Sequence, residues 1–430
     1  MMRLAEMSAD ELQQMLRHVR AEYDAIRARK LKLNIARGRP GEEQLDLSNE
    51  LLSLPKPDDW ITEAGDDARN YGGDPKGLVE LRRIFAPILD VPVEQVVVGG
   101  NSSLAIMHDV IVWALLKGVT AIATPWMKQG RIAFLSPVPG YELHHNMCIE
   151  YGIDLIPVPV TPKGPDMKVV EHHVRDPRVK GMWCVPTYAN PTGEIWSDEV
   201  IDRLAAMEAA ATDFRLFWDD AYVVHHLADN SKPAKRILPA CAAAGNADRP
   251  LMFWSTSKIT FATAGIGFFA ASPANVRWFL DCAKRRGAGQ DKLNQLRHAR
   301  FLKDAGGVTR HMKRHRAILA PKFSAVLQAF ERRLAGKGAA VWTRPEGGYF
   351  ISVDTIAGAA QRAVRLAGDA GISLTAAGST FPNGHDPKDS NIRIAPSFAS
   401  LEDVRIAAEA IAISILLAAV EKQLGINDND

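Results

Sequence analysis

A lysine directly after a short apolar run is the first feature of this sequence that suggests chemistry. Residues 251–254 (Leu-Met-Phe-Trp) are predicted to form a buried strand, and Ser255, Ser257 and Lys258 follow it. Burial disfavours the ammonium form of a lysine, which lowers its pKa and makes the amine a nucleophile toward aldehydes. The two serines and the glycines at residues 265–267 could bind a phosphate. A lysine whose stem packs at the strand end while its ammonium group reaches water would have the same local sequence.

A second polar turn, at residues 99–103, has the sequence Gly-Gly-Asn-Ser-Ser. It follows a strand predicted at residues 96–98 and precedes an apolar helix predicted at residues 104–117. Backbone amides at such a turn and the positive end of the helix dipole bind phosphate, so Asn101, Ser102 and Ser103 are candidate ligands. The turn matches neither the dinucleotide-binding pattern nor the P-loop pattern, and it does not specifically predict a nucleotide.

The remaining apolar runs place more polar residues at strand ends. We predict further strands at residues 132–136, 154–160, 181–185, 216–218 and 267–271, alternating with helical stretches. This alternation is typical of an α/β fold in which helices flank a mostly parallel sheet. Ligands of such sheets bind beyond the carboxyl ends of the strands. Because Tyr141, Asn190, Asp219, Tyr222 and Lys258 come just past those ends, the sequence predicts an active site there.

Two glycine-containing turns near the N-terminus offer further ligand contacts. Gly38 lies between Arg37 and Arg39, and an accessible backbone amide between two cations suits a carboxylate, although a plain turn explains the same residues. Tyr71 precedes the glycine-rich loop at residues 72–77, from which its hydroxyl could reach a ligand.

The sequence pattern near both ends of the chain indicates a second, smaller α+β domain. Ser8 and Glu11 form a capping-box sequence for a helix predicted to run to residue 30. Past residue 300, helices predicted at residues 310–333, 359–370 and 401–424 alternate with short strands. We predict an N-terminal helix and arm that belong to the small domain (residues 1–47), a large ligand-binding domain (residues 48–305) and a C-terminal small domain (residues 306–430).

The composition argues against several classes of protein. The chain has 430 residues, 47% of them hydrophobic and 24% charged, which is the balance of a globular protein with a large core. A net charge of +2 offers no strong field for nucleic acid or an anionic membrane. No run reaches the ~18 apolar residues of a membrane span. The 4 scattered cysteines predict neither a zinc site nor disulfides and fit a reducing cytoplasm. The paired histidines lack helical ligand spacing, so we predict no metal site.

Taken together, a series of short motifs resembles the class I aminotransferases of fold type I, which use pyridoxal phosphate. The resemblance extends from about residue 33 to residue 398 and is strongest to bacterial aspartate aminotransferases akin to the aminotransferase domain of MocR-type regulators. The motifs, in chain order, are Gly38-x-Pro40, Tyr71 before its glycine loop, Gly100-Asn101-Ser102, Pro139-Gly140-Tyr141, Asn190-Pro191-Thr192-Gly193, Asp219-x-Ala221-Tyr222, Ser255-x-Ser257-Lys258, Pro345-x-Gly347-Gly348-x-Phe350 and Arg393. Each motif is short, but their joint occurrence in this order is specific.

The resemblance implies a role for each of these residues. Lys258 would bond to the cofactor aldehyde and move the α-proton of the substrate, and Asp219 would keep the pyridine nitrogen protonated. Tyr222 and Asn190 would hydrogen-bond the ring oxygen, and Tyr141 would stack on the ring. The phosphate would be bound by Asn101, Ser102, Ser103, Ser255 and Ser257, with Tyr71 reaching the site of a neighbouring subunit in a homodimer. The substrate α-carboxylate would be bound by Gly38 and by Arg393, the latter as a bidentate donor, and Asn190 and Arg39 would also contact the substrate.

One position departs from the family pattern. The family has an arginine between two glycines about eight residues after the lysine, where it binds the cofactor phosphate, whereas residues 264–267 here are Ala-Gly-Ile-Gly. We hypothesise that Lys292, with Arg297 as a second candidate, supplies this charge from the partner subunit. A solvated basic helix is the alternative explanation of both residues.

The resemblance therefore implies an aminotransferase that moves an amino group between aspartate or glutamate and a 2-oxo acid such as 2-oxoglutarate. A dicarboxylic substrate needs a second cation besides Arg393, for which Arg37, Arg39 and Arg297 are candidates. Three alternatives stay open. The donors could be neutral, aromatic or of the 2-aminoadipate type; the site could run elimination, racemisation or decarboxylation; or the chain could be a MocR-like cofactor-binding regulatory domain. Only one helix precedes residue 31, which argues against a DNA-binding module.

Overall fold

The secondary structure of this chain follows the alternation seen in its sequence. A computed structural model describes residues 3–120, 123–229, 231–287 and 289–426. Within these ranges the strands are β1 Leu33–Asn34, β2 Val96–Val98, β3 Ala133–Val138, β4 Asp154–Thr161, β5 Gly164–Pro165, β6 Val179–Cys184, β7 Arg215–Asp219, β8 Pro250–Ser255, β9 Gly267–Ala271, β10 Ala340–Trp342, β11 Ile351–Thr355, β12 Ile372–Ser373 and β13 Asn391–Ile394. The helices are α1 Ala9–Arg27, α2 Glu42–Asp46, α3 Val79–Leu89, α4 Ser103–Lys117, α5 Glu142–Glu150, α6 Met167–His173, α7 Asp198–Ala206, α8 Ile237–Ala243, α9 Pro273–Ala283, α10 Lys292–Leu302, α11 Ala305–Leu334, α12 Ala360–Asp369 and α13 Leu401–Gln423.

The central sheet of the described residues has the strand order β2-β9-β8-β7-β6-β3-β4-β5. Strands β8, β7, β6, β3 and β4 pair in parallel, whereas β9 is antiparallel to both β2 and β8, and β5 is antiparallel to β4. The predicted α/β fold with a mostly parallel sheet is confirmed. The strands predicted at residues 96–98 and 267–271 match β2 and β9 residue for residue. The other predicted strands differ from β3, β4, β6, β7 and β8 by one or two residues at an end.

The sheet separates two apolar cores. Along β2, Val96 and Val98 pack into one core and Val97 into the other. Along β7, Trp218 faces the first core and Phe217 the second. This division arises because successive side chains of a strand point to opposite faces. Strands β6 and β7 are buried along their whole length, which explains the apolar runs at residues 182–184 and 216–218.

Residues from both ends of the chain build a third core. Helix α1 contributes Leu12, Val19 and Tyr23, which pack with apolar residues of α11, α12, α13, β11 and β13. Strands β10, β11 and β13 form an antiparallel sheet, and β1 pairs with β12. The N-terminal helix therefore packs with C-terminal elements, as the predicted small domain requires. The three-part division at residues 47/48 and 305/306 stays a prediction.

The ends of the helices are explained by their caps. The predicted capping box of α1 is present, because Ser8 Oγ accepts the Glu11 N–H and the Ser8 N–H donates to Glu11 Oε2 at 2.8 Å. Helix α1 ends at Arg27, before the predicted residue 30. Helix α11 begins before the predicted residue 310, because Asp304 caps it by accepting a backbone N–H of its first turn at 2.6 Å.

Two absences concern only the residues that the structure describes. None of their helices combines the length and the apolar character that crossing a bilayer requires. No group of three or more His, Cys, Asp or Glu side chains among them could hold a metal ion. All four cysteines, Cys148, Cys184, Cys241 and Cys282, are buried and free of disulfides.

Candidate active site

Lys258 lies in the turn after β8, at the predicted end of the sheet. Its Nζ atom is 5.1 Å from the centre of the Tyr222 ring. Burial lowers the pKa of the Lys258 ammonium group, the Asp219 carboxylate opposes this effect, and Arg393 adds to the lowering. An amine with a lowered pKa loses its proton more readily, and the free amine is the form that bonds to an aldehyde.

Asp219 ends β7 and has a partner that was not predicted. Its Oδ2 atom accepts a hydrogen bond from His144 Nε2 at 3.1 Å, and the His144 ring stacks on Trp183 with the ring centroids 4.1 Å apart. Asp219 Oδ1 is buried and has no hydrogen-bond partner among the described residues. The carboxylate is therefore anchored through one oxygen and offers the other to a donor. His144 carried a local signal, since it follows Tyr141 by three residues and therefore lies on the same side of α5.

The serines predicted to bind phosphate lie together at the N-terminus of α4. The Ser255 hydroxyl donates to Ser257 Oγ at 3.1 Å, and the Ser257 hydroxyl donates to the Asn101 carbonyl at 3.3 Å. Ser102 caps α4, and Ser103 is the first residue of the helix. The Asn101 side-chain amide donates to a main-chain carbonyl of the loop after Lys258 at 2.9 Å. Hydroxyls grouped at a helix N-terminus form a site suited to an anion.

Ile266 lies where the family has its arginine, and the neighbouring Gly265 leaves little space for a side chain. A Cβ atom on Gly265 would lie 3.0 Å from Ser257 N and 3.1 Å from Ser257 Oγ. Both predicted replacements have other partners in this chain: Lys292 Nζ and Arg297 Nε each donate to a main-chain carbonyl, at 3.2 and 3.0 Å. Tyr71 is 82% exposed and lies beside Lys292 rather than in the Lys258 cavity. The single chain therefore does not bring Tyr71 or Lys292 to the serines.

Arg393 lies on β13 and is only 4% exposed. Its Nη1 donates to Asn190 Oδ1 at 3.4 Å, and its Nη2 donates to Thr375 Oγ1 at 3.3 Å and to Glu142 Oε2 at 3.4 Å. The guanidinium also lies over the Phe350 ring, 4.9 Å from its centroid. The structure therefore brings together Arg393 and Asn190, both predicted to bind the substrate, while Thr375 and Glu142 were not predicted.

The N-terminal turn approaches the same end of the cavity. A Cβ atom on Gly38 would lie 2.4 Å from the Phe350 ring, so no other residue fits there without displacing it. The Arg39 guanidinium stacks on the Phe398 ring, 3.7 Å from its centroid. Burial raises the pKa of the Tyr141 hydroxyl, and the charge of Arg37 is among the groups that lower it. Arg37 is therefore electrostatically coupled to the site, whereas Arg39 has an aromatic partner.

One cavity, with an empty volume of about 450 Å³, connects the residues at the strand ends. Its lining includes Ser102, Ser103, Tyr141, Asn190, Asp219, Tyr222, Ser255, Ser257 and Lys258. A cavity in which a few polar groups converge is typical of a small-molecule site. Pyridoxal phosphate matches the donor set, because Asp219 Oδ1 can accept from a ring N–H, the hydroxyls suit a phosphate and the Lys258 amine suits an aldehyde.

Comparisons with known proteins agree with this arrangement. The sequence profile of the aspartate amino-transferase family matches residues 7–427. An aspartate aminotransferase of Corynebacterium glutamicum is 47% identical over 403 residues, covering 94% of this chain and 93% of that protein. A Mycolicibacterium smegmatis protein named as an aminotransferase is 51% identical over 406 residues, covering 94% of this chain and 95% of that protein. The crystal structure of an aspartate transaminase from C. glutamicum superposes with a TM-score of 0.95 at 45% identity, covering 98% of this chain and 99% of that one.

Proposed function

We propose that this chain, which belongs to the aspartate aminotransferase family, transfers the amino group of aspartate or glutamate to a 2-oxo acid such as 2-oxoglutarate. The chain is an aminotransferase, and its cofactor is pyridoxal phosphate. One observation carries the assignment of the site: Asp219 is bonded to His144 through one oxygen and keeps the other buried and unpaired in the cavity of Lys258.

Each residue of the site has a separate role in amino transfer. The bound cofactor supplies an electron-accepting ring and an aldehyde carbon. In our proposal, Lys258 Nζ takes the α-proton of the amino acid and later returns a proton, acting as general base and then as general acid. The negative charge at Asp219 Oδ1 keeps a proton on the ring nitrogen. Because Asn190 Oδ1 accepts from Arg393, its amide nitrogen is free to donate to the ring oxygen alongside the Tyr222 hydroxyl.

Binding of the phosphate rests on hydroxyls and on charge from a second subunit. We assign the phosphate to Asn101, Ser102, Ser103, Ser255 and Ser257, and Tyr141 to the face of the ring. We assign Lys292, with Arg297 as the second candidate, to the missing charge, supplied in trans within a homodimer to which Tyr71 also contributes. Lys292→Ala should weaken cofactor affinity ~10-fold or more, since a charged hydrogen bond contributes about 1.5–3 kcal/mol. Unchanged cofactor retention in that variant would exclude Lys292.

Selection of aspartate requires a cation for the side-chain carboxylate in addition to Arg393. The exposed Arg37, which acts on the Tyr141 pKa, is better placed for this than Arg39, whose guanidinium lies on Phe398. The name of the C. glutamicum relative supports the same substrate. The test is kcat/KM of wild type, Arg37→Ala and Arg39→Ala with aspartate and with alanine, using 2-oxoglutarate as acceptor.

We expect Arg37→Ala to lose about 10-fold or more on aspartate and little on alanine, because only aspartate offers the second carboxylate. Arg39→Ala is the matched comparison and should lose less. Equal losses on both donors, or a wild type that prefers neutral, aromatic or 2-aminoadipate-type donors, would exclude a dicarboxylic substrate.

Three further predictions belong to this proposal. The subgroup resemblance to the aminotransferase domain of MocR-type regulators is retained as a prediction, and DNA binding by the purified protein would favour a regulatory role. The division into an N-terminal arm, a large domain and a small domain is retained on the packing of α1 with α13. A cytoplasmic location is retained on the four free cysteines.

A further inference from the structure

The main-chain carbonyls of Lys258 and Ile259 are held by buried side chains. The Lys258 carbonyl accepts from the Tyr349 hydroxyl at 3.2 Å and from His225 Nε2 at 3.3 Å. The Ile259 carbonyl accepts from His311 Nε2 at 2.8 Å. His315 Nε2 lies 3.1 Å from His311 Nε2. The peptide of the reactive lysine is therefore fixed by donors from several elements.

Gln44 determines which way the protons of this network point. Its side-chain Nε2 lies 3.0 Å from the Tyr349 hydroxyl and 3.0 Å from His315 Nδ1. Its Oε1 accepts the Gly41 N–H at 3.2 Å, so the amide cannot turn over without losing that bond. An amide nitrogen only donates, which means that both the Tyr349 oxygen and His315 Nδ1 must accept.

These two acceptors determine which atoms donate hydrogen bonds near Lys258. Since the Tyr349 oxygen accepts from Gln44, its own proton is free for the Lys258 carbonyl. Since His315 Nδ1 accepts, the ring proton of neutral His315 is on Nε2, the atom that lies 3.1 Å from His311 Nε2. Burial lowers the pKa of His315 to about 3 and that of His225 to about 3, so both rings are neutral at physiological pH.

The segment that carries Gln44 packs closely against its neighbours. Gln44 lies on the short helix α2, and its bond to Gly41 closes the first turn of that helix. A Cβ atom on Gly41 would lie 2.7 Å from the Phe398 carbonyl, so this turn packs directly on the segment after β13. Gln44, Tyr349 and His315 are fully buried, and no water competes for these bonds.

We infer that Gln44 is a positioning residue for the reactive lysine: it directs the Tyr349 proton onto the Lys258 carbonyl and so fixes the direction in which the lysine side chain leaves the main chain. The inference rests on the proposed role of Lys258, but it does not depend on which amino acid is the substrate.

The sharpest test is Gln44→Glu, because this substitution keeps the shape of the side chain and removes its two N–H donors. An ionised carboxylate only accepts, so it would draw the Tyr349 proton away from the Lys258 carbonyl and require a proton on His315 Nδ1. A protonated carboxyl group would donate one proton instead of two, so one of the two bonds that Gln44 makes to Tyr349 and His315 would be lost. The matched control is Gln328→Glu on α11, where the exposed amide donates to Ser324 Oγ at 3.0 Å.

Two measurements report the effect. We expect kcat of Gln44→Glu to fall on the order of 10- to 100-fold while KM changes less than about 2-fold, because the lysine is misplaced and substrate binding is not. We also expect slower reductive methylation of Lys258 by formaldehyde and cyanoborohydride in the cofactor-free full chain, measured by mass spectrometry relative to the other lysines. Gln328→Glu should match wild type in both measurements.

Several outcomes would overturn the inference. A folded Gln44→Glu protein with wild-type kcat and wild-type methylation of Lys258 contradicts it, as does a variant that is only less thermostable. If Gln44→Glu does not fold, Tyr349→Phe decides, because it removes only the hydroxyl: a lower kcat at unchanged KM supports the inference, and wild-type behaviour overturns it. A wild type that prefers a neutral donor contradicts the proposed substrate alone, since both measurements can be made with that donor.

Discussion

Two adjacent carboxylates show how position decides the chemistry of a residue. Asp219 and Asp220 are both buried at the end of β7. Asp219 is bonded to His144 and keeps one oxygen for the cavity, whereas Asp220 Oδ2 lies 3.6 Å from Arg236 Nη1. Burial raises the pKa of Asp220 to about 6 against the effect of Arg236. Neighbouring residues of a strand point in opposite directions, so only Asp219 faces the cofactor cavity.

The two neighbours give a matched pair of isosteric substitutions. Asp219→Asn should lower kcat on the order of 10²- to 10³-fold, because it removes a buried charge that acts on the reacting system. Asp220→Asn should change kcat only a few-fold, on the order expected for a residue outside the cavity. Steady-state transamination with saturated cofactor measures both. Equal losses in the two variants would contradict the assignment of Asp219.

Lys258 allows a second test at a single residue. Lys258→Ala should keep the fold and lose turnover by at least on the order of 10²- to 10⁴-fold, the usual contribution of a general acid–base group. Lys284→Ala is the control, since that lysine is largely exposed and pairs with Asp281 at 2.7 Å. Circular dichroism checks the fold, and kcat with an amino donor and 2-oxoglutarate checks the function. Normal transamination by Lys258→Ala would show that the site lies elsewhere.

The sequence predicted those site residues whose position follows from one strand. Asp219, Asn190 and Lys258 come after apolar runs, and parallel strands bring their carboxyl ends to one edge. Gln44 was not predicted, because its partners Tyr349 and His315 lie 305 and 271 residues away and no local pattern links them. Contacts between loops of distant origin are set by the packing of whole elements, which local periodicity does not encode.

At the scale of elements, the site depends on the fit between two turns. The loop before β9 packs on the turn before Lys258, and Gly265 is the point of contact with Ser257. Gly265 has no positive φ, so the reason for glycine here is the space and not the backbone conformation. Gly265 therefore keeps Ser257 close to the loop that carries Ile266 in place of the family arginine.

A methyl group at this contact should disturb the phosphate-binding serines. Gly265→Ala should weaken cofactor affinity about 10-fold or more, because Ser257 must move and a hydrogen bond to a charged phosphate contributes about 1.5–3 kcal/mol. Gly368→Ala is the control, since Gly368 lies in α12 and a Cβ there meets no atom within 4 Å. Fluorescence titration of the cofactor-free proteins gives both affinities. Equal affinities in Gly265→Ala and wild type would mean that Ser257 does not bind the phosphate.

At the scale of the whole molecule, buried histidines make stability depend on pH. Burial lowers the pKa of His145 and His298 to about 4 and that of His225 and His315 to about 3. Unfolding returns each imidazole to an ordinary pKa of about 6.5, so the unfolded chain binds more protons as the pH falls below that value. The stabilisation from neutral burial is therefore complete above about pH 6.5 and is lost toward pH 3–4.

We expect the free energy of unfolding to fall steeply between pH 8 and pH 5, with each of these histidines accounting for about 2 kcal/mol of the loss. His298→Gln should be less stable at pH 8, because neutral His298 donates from Nδ1 to the Asn294 carbonyl at 2.8 Å and accepts at Nε2 from the Thr260 hydroxyl at 2.9 Å. Its stability should nevertheless fall less steeply, by up to about 1.4 kcal/mol per pH unit, since one titrating group is gone.

His172→Gln, at an exposed position of α6, should keep the wild-type slope. Urea unfolding at saturating cofactor from pH 8 to pH 5 measures these slopes, and a wild type equally stable at both ends would contradict the neutral burial of the four rings.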